Sequence, residues 1–212
     1  MKEPRECDWL DLKRFGRYLA GKPRVVTQFR HQEPPPGLIG TMDADHAGCV
    51  ETCRSSSGYV VMHGSHCLKH GSSIQSTIAL SSGESEFYSA IKTAAVLLGM
   101  KQLFEDLGVE LTASCSTNSP EIHTDSSASK GTCERLGLGK LKHVNSRYLW
   151  IQERVARREL AIVKIPRTRN FSDFLTKPSC SAKEVERQMR AIGQIPLSGR
   201  AGKSKRLIQG GA

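Results

Sequence analysis

The sequence predicts a mixed α/β (α+β) fold, in which a sheet of mixed strand direction has helices packed against it. Two observations predict it. Three strand-like segments follow one another between residues 38 and 78, ahead of the longest helix. After that helix, short strands and helices alternate up to residue 165. A run of consecutive strands implies antiparallel neighbours, and strand–helix–strand units imply parallel ones.

The first element is an amphipathic helix over 7–21. Trp9, Leu12, Phe15 and Leu19 fall at helical spacing, and Gly21 and Pro23 follow as stop signals. Arg24–Phe29 reads as a short strand. Glu33-Pro-Pro-Pro-Gly37 then breaks all periodicity and reads as a linker or boundary. Leu38–Asp43 reads as a strand running into Asp43-Ala-Asp45-His-Ala-Gly48. Residues 49–57 are polar and turn-like, Tyr59–Met62 is a strand by composition, Gly64 marks a turn, and 66–78 reads as a third strand.

The long helix begins in Ala79-Leu-Ser-Ser-Gly-Glu-Ser-Glu-Phe-Tyr-Ser-Ala90 and runs to Leu107-Gly108. Ser81 and Glu84 have the spacing of a capping box. Phe87, Ile91, Ala94 and Leu98 recur at helical spacing, with Leu97, Met100 and Phe104 widening the apolar face. Residues 109–120 are a Ser/Thr-rich loop. Glu121–Asp125 reads as a strand, Ser126–Leu136 as a helix broken by Gly137-Leu-Gly139, and Asn145–Arg158 as a basic helix. Leu160–Ile165 is a strand closed by Pro166. Phe171–Thr176 is a helical turn stopped before Pro178, Lys183–Ile192 is a helix, and the rest is expected to be disordered.

No apolar run reaches the length of a membrane span, and the first residues lack the form of a signal peptide. Seven scattered cysteines, an odd number, favour a reducing, intracellular setting. Cys49 and Cys53 beside His46 lack a second ligand pair and read as free thiols. The net charge of +10 is unevenly spread. Leu38–Ser129 holds ten acidic and four basic residues, whereas Lys130–Asn170 holds eleven basic and three acidic. This division suits a protein that holds cations in one place and a polyanion in another. A solvated basic helix face accounts for the second half equally well.

Acids fall at element ends. Asp43 ends the first strand of the meander, Glu86 lies in the first turns of the long helix, Asp125 ends the fourth strand, and Asp173 lies in the last helical turn. Brought to one end of a sheet, four carboxylates would repel one another and raise their own pKa values. Divalent cations cure that. Hard Mg²⁺ takes oxygen ligands, and two ions about 4 Å apart can activate water and stabilise a leaving oxygen in phosphodiester cleavage. Asp45, next to the turn at Gly48, reads as a turn residue. On spacing alone, the plain alternative for all these acids is solvation.

Several segments together resemble one family. Met42-Asp43-Ala-Asp45-His-Ala-Gly48, Arg54-Ser-Ser-Ser-Gly-Tyr-Val60, Ala79-Leu-Ser-Ser-Gly-Glu-Ser-Glu86-Phe-Tyr88, His123-Thr-Asp125, Lys142-His143-Val-Asn-Ser-Arg147-Tyr148 and Asp173-Phe-Leu-Thr-Lys-Pro178 stand in the order found in copia-type retrotransposon Pol polyproteins. They resemble the ribonuclease H domain that follows the reverse transcriptase. The resemblance implies a ribonuclease H-like fold, a five-stranded mixed sheet flanked by helices. It divides the chain into the end of a polymerase connection region (1–37), the ribonuclease H-like domain (38–180), and a basic C-terminal helix and tail (181–212). There are departures. His46 stands where the family has Trp, Asn145 where it has Asp, and Arg167-Thr-Arg169-Asn170 lacks the histidine of cellular ribonucleases H.

What the resemblance implies is Mg²⁺-dependent endonucleolytic cleavage of the RNA strand of RNA–DNA hybrids during reverse transcription. Asp43, Glu86, Asp125 and Asp173 are then the catalytic acids and the ligands of two Mg²⁺ ions, or of Mn²⁺ in their place, and Glu84 keeps its capping role. Arg147, Arg154, Arg167 and Arg169 are expected to contact the hybrid. The implied partners are the hybrid and the polymerase domain of the same polyprotein, with no membrane. The implied setting is a cytoplasmic virus-like particle or the nucleus. The alternative is a catalytically inactive remnant that binds nucleic acid or packs against a polymerase.

Overall fold

The computed structural model describes residues 3–109, 111, 119–177 and 181–198. The chain falls into two compact units, Met1–Gln28 with Gln194–Ala212, and Phe29–Gly193. The smaller unit holds α1 (Glu6–Gly21), β1 (Arg24–Thr27) and β7 (Gln194–Leu197). In it β1 and β7 pair antiparallel, Val25 opposite Pro196. The expectation of disorder beyond Ile192 is corrected here. Four residues carry no readable periodicity, and this strand exists only through its partner, distant in sequence. Trp9, Leu12, Phe15 and Leu19 of α1 are all exposed.

The larger unit holds β2 (Ile39–Ala44), β3 (Ser56–His63), β4 (His66–Ile74), α2 (Ser82–Asp106), β5 (Glu121–Thr124), α3 (Ser127–Glu134), α4 (Trp150–Ala156), β6 (Ala161–Lys164) and α5 (Ala182–Ala191). Its sheet has the order β4-β3-β2-β5-β6. β2, β3 and β4 are antiparallel to one another, while β2, β5 and β6 run parallel. This is the five-stranded mixed sheet flanked by helices of the ribonuclease H-like fold, as expected. The third strand ends at Ile74 rather than at residue 78, and Gln75–Leu80 crosses to α2 instead. The basic helix is split, with a 3-10 turn at Ser146–Tyr148 preceding α4. Gln32, just before the proline run, is tied to the β3–β4 turn through His63 O (3.0 Å) and Ser65 N (2.8 Å).

β3 is buried on both faces. Tyr59 and Val61 join the core with Met42, Phe87, Ala90, Ala94, Leu97, Ile122 and Ile151. Val60 and Met62 pack on the other side with Cys67, Ile192, Phe171, Phe174 and Leu175. α2 lies on the first of these faces, turned from the expected stripe so that Ala90, Thr93, Ala94 and Leu97 are buried while Ile91 and Leu98 sit at the margin. The reason is a close approach. A Cβ on Gly40 of β2 would meet Leu97 at 2.8 Å and Thr93 at 2.9 Å, so the missing side chain on the sheet lets the helix settle there. Phe87, nearer the start of the same helix, is fully buried in the core. Phe87→Ala is expected to destabilise the protein by about 3–5 kcal/mol, read as a lowered urea midpoint.

Candidate metal centre

Three segments converge at one end of the sheet. β2 and β5 are parallel neighbours in the register Ile39 to Glu121, Gly40 to Ile122 and Thr41 to His123. Continued to the strand ends, that register sets Asp43 beside Asp125. The third segment is a 3-10 turn, Asp173–Leu175. It lies on Gly58 of β3, the partner of Asp43. A Cβ on Gly58 would meet Leu175 and Thr176 at 2.9 Å, so the turn can approach the sheet only over a glycine. Asp43, Asp125 and Asp173 thus bring carboxylate oxygens within 4.8 Å of one another. Among the described residues, this is the one group of acids, histidines and cysteines close enough together to hold a metal ion.

Hydrogen bonds fix the members. Asp43 is buried and accepts from the Thr176 hydroxyl. Asn170, fully buried, donates to Met42 O (2.8 Å) and to Asp125 Oδ1 (3.4 Å). Ser172 ties the same loop to Thr41 O (2.7 Å). Asp173 is ion-paired with Lys177 and, at 3.4 Å, with Arg167. Burial pushes the Asp43 carboxyl above its ordinary range and Asp125 adds to that, against the Thr176 hydrogen bond and the Lys177 charge.

Glu86 is not part of the close group, but it feels two of its members. Its carboxyl is pushed up to about 8, first by burial, then by the charges of Asp43 and Asp125, with the Ala44 N–H and Lys177 pulling the other way. Its Oε2 is buried without a hydrogen-bond partner. A buried, unpartnered carboxylate oxygen that feels the charges of Asp43 and Asp125 is costly unless a cation joins them. The donor set therefore fits a hard divalent cation.

Glu84 has the opposite environment. It is 1% exposed, and both its oxygens are occupied. Oε1 accepts from the Tyr88 hydroxyl (2.8 Å); Oε2 accepts from Leu80 N (3.0 Å) and His143 Nε2 (2.9 Å). Burial alone would raise its pKa, but those bonds, the one from His143 first, hold it below the ordinary range. The capping box is only half formed. Ser81 accepts from Glu84 N at 3.2 Å, while the Glu84 carboxylate reaches Leu80 instead of the backbone of Ser81.

No family model matches the chain. Curated relatives do. The chain is 30% identical over 198 residues to the retrovirus-related Pol polyprotein from transposon RE2 of Arabidopsis thaliana, covering 93% of the chain and 13% of that protein. It is 29% identical over 180 residues to the corresponding polyprotein from transposon TNT 1-94 of Nicotiana tabacum, covering 84% of the chain and again 13% of the relative. The chain is a relative of plant retrotransposon Pol polyproteins. The resemblance read from the motifs is thereby borne out, for a segment about one-eighth the length of those polyproteins. Among solved structures, it is similar to the N-terminal RNase H domain of rv2228c from Mycobacterium tuberculosis, 13% identical, covering 66% of this chain and 91% of that one, with a TM-score of 0.44. The fold assignment rests on the strand order and directions given above.

In this Pol relative, the structure brings Asp43, Asp125 and Asp173 together, with Glu86 within electrostatic reach. Of the four expected arginines, only Arg167 pairs with one of these acids. Arg154 is paired with Glu159, Arg147 lies over the Tyr148 ring at 4.7 Å, and Arg169 is exposed. Asp45 accepts from Ser56 N in the turn after β2, away from the close group. Three neighbours of the acids were not singled out from the sequence. Thr176 and Lys177 stand inside the Asp173 motif itself, which was the available signal, whereas nothing in the local pattern marks Asn170. Lys203–Arg206 lies outside the described residues.

Proposed function

We propose that this domain is a metal-dependent endonuclease that cuts the RNA strand of RNA–DNA hybrids during retrotransposon reverse transcription. The observation that carries it is the convergence of Asp43, Asp125 and Asp173, with the partnerless Glu86 oxygen beside them. Asp43, Glu86, Asp125 and Asp173 would hold two Mg²⁺ ions, or Mn²⁺. When bound, such ions supply a nucleophile from water near neutral pH and neutralise charge on phosphate oxygens. The chain's own residues prepare the site. The Thr176 hydroxyl and the Asn170 amide aim Asp43 and Asp125, and Glu86, whose Oε2 has no hydrogen-bond partner, would serve a cation in its ionised form. Lys177 and Arg167, which pair with Asp173, would lie beside the phosphates of a bound hybrid and could take up their charge. Contacts with 2′-hydroxyls in the shallow minor groove would select RNA as the cut strand. The exposed apolar side of α1 supports packing against a neighbouring part of the polyprotein, such as its polymerase. Among the described residues no helix is long and apolar enough to cross a membrane.

The test is cleavage of an end-labelled hybrid. The protein should cut the RNA strand with Mg²⁺ and not with chelator. Asp125→Asn should be about 10³-fold slower, the equivalent of about 4 kcal/mol of lost charge stabilisation. Equal rates for the two proteins overturn the proposal. One observation favours a second reading, a non-catalytic nucleic-acid-binding remnant: Lys177 and Arg167 already neutralise Asp173. Salt-sensitive hybrid binding without any cutting would select it.

A further inference from the structure

We infer that His143 and Glu84 are a positioning pair, which fixes the turn of α2 that presents Glu86 and so sets the affinity for the divalent ion. This rests on the metal-centre reading above. The Lys142-His143 motif has no part in that centre, and Glu84 is the wrong glutamate for it. Yet the two meet at 2.9 Å across 59 residues of chain.

The pair touches no proposed ligand and acts through the first turn of α2, where the Glu84 carboxylate gathers Leu80 N, the Tyr88 hydroxyl and His143. A carboxylate only accepts, so His143 Nε2 must carry the proton it shares with Glu84. Glu84 is buried and His143 is 44% exposed, so the bond reaches inward from a surface segment to the first turn of α2. That turn is held from the sheet side by other bonds. Gln75 Nε2 donates to Ser85 O (2.8 Å), and Ser89 donates to Asp43 O (2.8 Å). His143 holds it from the opposite segment. There, the ring of Tyr88, whose hydroxyl also donates to Glu84, stands edge-on to Tyr148 at 5.1 Å. The other end of the segment is fastened by Gln152, which accepts from Gly137 N (2.9 Å) and donates to Gly137 O (3.1 Å). Glu86 is two residues beyond Glu84. A turn clamped from both sides gives Glu86 one orientation toward Asp43 and Asp125.

A helix cap alone does not need this arrangement. Ser81 already accepts from Glu84 N, and the Glu84 carboxylate bypasses the backbone of Ser81. Its three partners instead come from the loop before α2, from α2 itself and from the segment bearing His143.

The test uses the full chain without substrate. Mn²⁺ binding is followed by calorimetry, and amide hydrogen exchange is followed over residues 83–88. His143→Leu and Glu84→Gln should each weaken Mn²⁺ binding about tenfold, the low end of the effect of losing a ligand's own hydrogen-bond partner, because this pair acts through the turn and not on a ligand. They should also speed exchange in that turn. His143→Gln, which can still donate an N–H to Glu84, should return affinity to within about threefold of the parent. Hybrid binding in chelator should change less than about twofold in all three. Unchanged Mn²⁺ affinity in both His143→Leu and Glu84→Gln, with only a lower Tm, overturns the inference and leaves a plain stabilising contact. If the parent protein binds no Mn²⁺, the metal-centre reading fails instead. The exchange data then decide whether the pair clamps the turn, and unaltered exchange in His143→Leu rejects that as well.

Discussion

Glu86→Gln is expected to abolish hybrid cleavage while making the metal-free protein more stable. Both effects follow from one property. In the folded chain the Glu86 carboxyl is pushed up to about 8 by burial and by the charges of Asp43 and Asp125. At neutral pH the fold must therefore either carry an extra proton there or hold a charge with no partner for Oε2. Either state costs stability relative to the unfolded chain, on the order of 2 kcal/mol. The amide keeps the shape and can accept from Ala44 N–H, and it removes that cost. For a chain of this size, the gain corresponds to a Tm about 5 °C higher in chelator. The same substitution removes a carboxylate from the acidic set, and cleavage should fall about 10³-fold or more. Glu84→Gln makes the contrast. Its carboxylate is already satisfied by three donors, so the amide breaks good contacts, and Tm should fall. A Tm that falls for Glu86→Gln and rises for Glu84→Gln would mean the two glutamates have been assigned the wrong way round.

Two of the acids were legible because they sit where strands stop, which is a local signal, while Glu86 and Asp173 lie at the starts of helical segments and were legible through the motifs. Asp43 and Asp125 close β2 and β5, so reading the strands also placed these two. Their partners were less legible. Asn170 reaches Met42 O and Asp125 Oδ1 only because a loop more than a hundred residues from Met42 folds back over the sheet. No spacing encodes that return. The face of α2 was read nearly right from Phe87 and Ala94. Its rotation depends on Gly40, in another strand, which admits Thr93 and Leu97. The Glu84 spacing suggested a capping box, and the cap at Ser81 is real. What the spacing could not show is that His143 and Tyr88 both bond the same carboxylate, since His143 comes from a segment with almost no periodic pattern. β7 was missed for a similar reason, because a four-residue strand is defined by its partner. Conversely, the motif order was informative where no single motif was, since six short segments in one order constrain a fold far more than any one of them.

The stability of the metal-free protein should fall as pH rises from about 5 to about 8, and Mg²⁺ should remove that fall. The sign follows from proton counting. Glu86 titrates near its ordinary 4.5 in the unfolded chain and at about 8 in the folded one. Between those values the folded state holds more protons than the unfolded state, so raising the pH favours unfolding. Above about 8 both states are ionised and the slope from this group ends. Asp43, also raised above its ordinary 3.8, acts in the same direction from a lower starting pH. Glu84 acts oppositely. Its pKa is lowered from 4.5, so its contribution is present above that value and is lost only as pH falls through the lower, folded value. The metal-free optimum contributed by these groups therefore lies near pH 5. A divalent ion binds the ionised acids, so its stabilisation should grow through the same window in which the metal-free protein weakens. Scanning fluorimetry from pH 5 to 9, in chelator and in Mg²⁺, measures both curves. Glu86→Gln should flatten the chelator curve above pH 6. A metal-free stability that instead climbs through this range, or a slope that Glu86→Gln leaves intact, would show that the charge at Glu86 is not what the fold bears in the absence of metal.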